Sequence, residues 1–133
     1  MKILAPVTAL TVVILVPIYI RLALAVIGKR KAHLVAVGTG NHEDLETAIR
    51  AHGNFSEYVP FALLLMLSAE VNGSPVWFVA LVAAMLVSGR LLHAAAIPAG
   101  NIPKRVKAMK LTFGALVFGA VANLIPLVGA VLG

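Results

Sequence analysis

Four apolar runs, each long enough to cross a bilayer, constrain this chain more than any other feature. They cover Ile3–Ile27, Leu45–Val71, Val76–Ile97 and Val106–Leu132. A spanning helix needs about 20 apolar residues to cross about 30 Å of hydrocarbon. Inside lipid every backbone polar group must be satisfied internally, which leaves helices or a closed barrel. The alternating ten-residue pattern of a barrel is absent. The expected fold is therefore all-α, an integral-membrane four-helix bundle forming one domain over residues 1–133. Composition agrees. Of the 133 residues 61% are hydrophobic, against about 45–50% in soluble domains, and mean hydropathy is +1.01.

The first run reads as an uncleaved helix. Lys2 and Ala23-Leu24-Ala25 imitate the two ends of a signal peptide. The run is longer than a signal core, however, and Arg21 interrupts it before that site. A net charge of +6 raises the question of nucleic acid. The basic residues flank the apolar runs, so they read as topology signals and no nucleic-acid partner is expected. Lys29, Arg30 and Lys31 follow the first run, while Lys104, Arg105, Lys107 and Lys110 surround the start of the fourth. The second connection, Asn72-Gly73-Ser74-Pro75, has no basic residue. Positive charge marks the cytoplasmic side. Loops one and three are expected inside and both termini outside, with Lys2 alone dissenting. The basic cluster also suits anionic membrane lipids, and Arg21 is expected to snorkel to the inner surface.

Several chemistries drop out early. The chain has no cysteine, hence no disulfide, thiolate metal site or cysteine nucleophile. His33, His42, His52 and His93 lack HxxxH or HExxH spacing, so no metal site is expected. Asp44 is the sole aspartate and stands at a helix start. A Ser–His–Asp arrangement therefore cannot be built, and catalysis would need a reactive cofactor. Gly38-Thr39-Gly40 lacks the strand and third glycine of a nucleotide fingerprint. It reads as a turn, followed by Asn41 as a helix cap with Asp44 completing a shortened capping box. Ala115 and Gly119, with Gly114 beside them, suit close helix packing.

The informative residues are polar ones where lipid should begin. Arg50, Asn54 and Glu57 stand at i, i+4 and i+7, on one face of the second helix. Arg90 and His93, at i and i+3, lie on the third. A charge at the bilayer centre costs about 2.5–3.5 kcal/mol on insertion scales, so these groups should face protein or a polar cavity. Antiparallel packing puts Glu57 and Arg90 within pairing reach, with Arg50 and Asn54 nearer the inner surface. Two readings follow: a network that locks helices two and three, or a cytoplasm-facing pocket for an anionic or zwitterionic ligand. The basic cluster at Lys104–Lys110 would close such a pocket.

The stretch Arg50-Ala51-His52-Gly53-Asn54-Phe55-Ser56-Glu57-Tyr58-Val59-Pro60, followed by an apolar helix and Gly89-Arg90-Leu91-Leu92-His93, resembles the MAPEG family, membrane-associated proteins in eicosanoid and glutathione metabolism. Small bacterial inner-membrane members are especially similar. The resemblance covers nearly the whole chain and implies a homotrimer of four-helix subunits, with glutathione between subunits near the cytoplasmic face. Arg50, Asn54, Glu57, Arg90 and His93 would bind it. Arginines suit its carboxylates and Glu57 its ammonium. In eukaryotic members an arginine near the start of helix four lowers the thiol pKa, and Arg105 is the nearest candidate, with Lys107 and Lys110 as alternatives. Ile97 stands where several of those enzymes carry a tyrosine, which argues against prostaglandin or leukotriene synthesis. The implied function is a membrane glutathione transferase, with or without peroxidase activity, acting on hydrophobic electrophiles as small-molecule substrates. The alternatives are a non-catalytic lipid or glutathione binder and a small transporter. Four-helix drug exporters, however, place their intramembrane glutamate on the first helix.

Overall fold

The computed structural model describes residues 3–97 and 99–132; Lys2, which dissented above, lies outside them. The described residues form four helices and no strand: α1 (Pro6–His33), α2 (Glu43–Val71), α3 (Val76–Ala96) and α4 (Ile102–Leu132). The helices alternate in direction. The packed pairs are α1 with α2 and α3, and α4 with α2 and α3; α2 and α3 also touch, so α1 and α4 lie on opposite flanks.

The core is a seam of small and aliphatic side chains. Leu15 of α1, Val59, Ala62 and Met66 of α2, Val79, Val82 and Leu86 of α3, and Ala115 and Ala122 of α4 meet there. Glycines bring helices close at two points. A Cβ on Gly89 would meet Thr112 Oγ1 at 2.9 Å and the Ala108 carbonyl at 3.0 Å, and one on Gly119 would meet Leu65 Cβ at 3.2 Å. The small-residue stripe on α4 is thus a packing face, as its spacing implies.

Outside the seam the surface is apolar. A soluble monomer of this mass exposes about 6,700 Å²; this chain exposes 8160 Å². Within their apolar windows only 11% of α1 and 17% of α4 is buried, against 39% of α3. Large hydrophobics facing outward, such as Val13, Leu24, Val117 and Leu124, are stable only against lipid or another subunit.

Three helices, α1, α3 and α4, are long and apolar enough to span a membrane. The second run departs from expectation. Its helix is as long as the others, but Arg50, Asn54 and Glu57 at one end and Glu70 at the other shorten its apolar stretch. The basic clusters also sit on helix rather than in loops. α1 continues past Ile27 through Lys29, Arg30 and Lys31, because cations suit the negative end of a helix. Arg30 then curls over the end and donates to the carbonyls of Ala36 and Gly38 at 3.2 and 3.1 Å. α4 begins at Ile102, four residues before its apolar run, and Asn101 Oδ1 caps the Lys104 N–H at 2.9 Å.

The start of α2 corrects another expectation. Asn41 has φ +62° and belongs to the turn; His42 is the cap position, with no side-chain cap bond. Asp44 turns back to α1, meeting Lys29 Nζ at 2.8 Å and His33 Nε2 at 2.9 Å. A carboxylate that can reach an ammonium and an imidazole on a neighbouring helix does not remain a local cap.

Candidate functional site

The C-terminal end of α1, the start of α2, the end of α3 and the start of α4 meet at one end of the bundle. Arg50 and Arg105, both exposed, line a single cleft of about 240 Å³ there, with Glu43, Glu46, Thr47 and Ile97. Arg105 is thus brought to Arg50 from a different helix. Lys104, Lys107 and Lys110 are not. With Ile102 and Val106 they line a separate surface of α4.

Asn54 and Glu57 continue from Arg50 along the same side of α2. Glu57 is exposed and Asn54 half-buried. The opposite side of α2 faces the core through Ala51, Phe55, Val59 and Ala62. Glu57 is two residues from both Phe55 and Val59, so the 3.6-residue turn puts it on the outer face. Glu57 therefore looks away from the core of its own chain, while Arg50 opens onto the cleft it shares with Arg105.

Arg90 and His93 sit on the other side of that wall, both buried. The expected pairing of Glu57 with Arg90 does not form. Arg90 Nη2 donates to Thr112 Oγ1 at 2.6 Å and Nη1 to the Asn54 carbonyl at 3.3 Å. A longer contact of 3.6 Å reaches Met109 Sδ, and Nε is buried without a partner. The cause is the contact at Gly89, which presses this part of α3 onto α4. The guanidinium is held by neutral acceptors on α2 and α4 and ties three helices together directly under the polar stripe.

Asp44 is the strongly perturbed acid at this end. Hydrogen bonds from Lys29 and then His33 hold its carboxyl well below the usual carboxylate range. His33 also stacks on His42, with ring centroids 3.8 Å apart. These contacts join α1 to the turn that opens α2.

Glu70 escaped the sequence reading. It is buried in the last turn of α2 and accepts hydrogen bonds from the backbone N–H groups of Val7 and Thr8 at 2.8 and 2.9 Å, and from Thr8 Oγ1 at 2.8 Å. α1 has no side-chain cap of its own, so the neighbouring helix supplies it. The signal was present: a carboxylate in the last turn opposes the helix dipole and needs a donor from elsewhere. Thr112, the acceptor for Arg90, gave no such signal.

Described residues that are all helical or loop, with an apolar exterior, polar groups turned outward on α2 and a buried Arg–His pair behind them, fit a class of small membrane proteins. The MAPEG family model matches residues 8–125, and the chain belongs to that family. It is 36% identical over 118 residues to inner membrane protein YecN of Escherichia coli strain K12, covering 89% of this chain and 90% of that one. YecN of E. coli O6:H1 strain CFT073 matches to the same extent. No solved structure matches it.

Proposed function

We propose that this protein is a membrane-bound glutathione-dependent transferase acting on hydrophobic electrophiles. The observation that carries the reading is the cleft where Arg50 and Arg105 meet beside Glu43 and Glu46. Glutathione has two carboxylates and an ammonium, and a cleft bearing two guanidiniums and two carboxylates matches that charge pattern. Arginine forks bind carboxylates bidentately. Asn54 and Glu57 extend the contact along α2, and Arg90 and His93 support the wall from beneath. In this reading Arg105 supplies the cation that favours the thiolate of a thiol whose ordinary pKa is about 8.5.

An outward polar stripe on an intramembrane helix calls for a partner. A second copy of the chain supplies one, and a homotrimer closes such a set of interfaces. In this reading the basic end faces the cytoplasm of a bacterial inner membrane and both termini are periplasmic. The compartment follows the E. coli relative, and the orientation follows the basic residues.

The test is glutathione binding to the purified protein in detergent, read as a melting shift. A ligand bound only to the folded state adds about 2.7 kcal/mol at a hundredfold excess over Kd. The wild type should shift, and Glu57→Gln and Arg50→Gln should lose the shift. Arg105→Gln should lose the ultraviolet thiolate band of bound glutathione. No shift in the wild type sinks the reading. A second reading, binding without catalysis, is favoured by Glu43 and Glu46, whose charge in the same cleft opposes a thiolate. A melting shift without a thiolate band would select it.

A further inference from the structure

A large, partly open cavity lies behind the arginine cleft, formed within one chain. Its volume is about 660 Å³, within the usual range for small-molecule sites of about 300–1,000 Å³. The floor is aliphatic: Leu22 and Ala25 of α1, Ala48 and Ala51 of α2, and Ala94 of α3. The one ring that lines the cavity, the His42 imidazole, belongs to its polar rim, so the aliphatic floor suits a flexible chain better than a flat ring.

The rim is polar, and its charges are largely spent on one another. Lys29 is paired with Asp44 at 2.8 Å. Glu43 also lines the rim, and no ion pair engages it among the described residues. An anionic head would meet Glu43 with the Lys29 charge already compensated. An uncharged head can instead hydrogen-bond to Asn41, Thr47 or the uncapped start of α2. The cavity also adjoins the cleft: Glu43, Thr47 and Ile97 line both.

We infer that this cavity binds an uncharged single-chain aliphatic amphiphile, its chain on the alanine floor and its carbonyl or hydroxyl head at the Thr47 wall. If the thiol reading above holds, this is where the hydrophobic second substrate waits, one wall away from the arginine pair. Only that role rests on the thiol reading; the binding itself does not.

The experiment uses the full chain in lipid nanodiscs, which removes competing detergent tails. The probe is a long-chain fatty alcohol carrying a mid-chain diazirine, photolysed and mapped by peptide mass spectrometry. Labels should fall on Leu22, Ala25, Ala48 or Ala94. Excess 1-dodecanol should suppress them at least tenfold more effectively than dodecanoate. Ala48→Phe should cut labelling at least fivefold while leaving the glutathione melting shift intact. Ala25→Phe, at an exposed position, serves if the first variant folds poorly. Labels confined to lipid-facing residues such as Val13 and Val117 overturn the site, as does a cross-link showing a second copy seated in the cavity. Equal competition by dodecanoate overturns the uncharged class. Cavity labelling without a glutathione shift keeps the site and removes the thiol reading; the reverse result removes the site alone.

Discussion

At the end of the bundle where α2 runs into α3, polar groups turn inward and find partners. Where α3 runs into α4, some are paired or buried, such as Asp44 and Arg90, but several charged ones turn outward. Glu70 caps α1, the Ser74 hydroxyl donates to the Ala122 carbonyl, and Asn123 Nδ2 donates to the carbonyls of Leu65 and Gly119. Apart from the Asn123–Gly119 bond, which stays within α4, each joins elements distant in the chain, and all satisfy groups that lipid would leave bare. At the other end Arg50, Glu57 and Arg105 stay exposed, and the buried Arg90 has an unpartnered Nε. One end has the character of a closure. The other exposes Arg50, Glu57 and Arg105, which form no ion pair among the described residues, and that is where a ligand has something to gain.

The largest expected effect tests the closure. Glu70→Ala strands the Val7 and Thr8 N–H groups in an apolar setting. Hydrogen bonds to a charged group contribute about 1.5–3 kcal/mol each, with further cost for donors left bare. We expect a loss of about 3 kcal/mol, read as a lower melting temperature, with glutathione affinity unchanged. Glu70→Gln keeps one acceptor oxygen and should lose about half as much. A variant that loses ligand but not stability would erase the distinction between the ends.

Arg50→Gln is the converse. The side chain is exposed, so stability should move by less than about 0.5 kcal/mol. On the proposed function, glutathione affinity should fall about 10- to 100-fold, the equivalent of one charged hydrogen bond, as measured by titration calorimetry. Arg90→Met sharpens the division between wall and site. A buried charge with only neutral partners is often replaceable by an apolar side chain of similar volume, and Thr112 keeps its own bond to the Ala108 carbonyl at 3.1 Å. Thermal melting should stay within about 1 kcal/mol of wild type, a small change for so buried a residue.

Much of this was readable from residue order. Apolar runs and short connections gave four helices and one bundle. The i, i+4, i+7 spacing put Arg50, Asn54 and Glu57 on one face. Spacing could not say which way that face looks. Arg90 was assigned to Glu57 because their depths match, but Gly89 turns this part of α3 toward α4, and a hydroxyl 22 positions away takes the guanidinium. Helix ends were misplaced at α1 and α4 because apolarity measures where lipid stops, and a helix continues past that point on charge and capping alone. Glu70 was missed for a related reason: its donors come from the far end of another helix, 62 and 63 positions away.

The smallest effect concerns Asp44, where the open end is tied to α1. Its folded pKa is depressed by hydrogen bonds from Lys29 and His33, so its contribution is present above the unfolded carboxylate value near pH 3.9 and fades as pH falls through the lower folded value. Between pH 5 and 8 the Asp44 carboxylate itself should therefore add no slope to the melting temperature. Below about pH 4 the wild type should lose stability through this group, while Asp44→Asn should lack that part of the decline. The pair is exposed at 48% and 45% for Lys29 and Asp44, so salt should weaken it. If Asp44→Asn instead melted far below wild type at neutral pH, the contact would be a structural closure like that of Glu70, and the two ends would be more alike than their geometry implies.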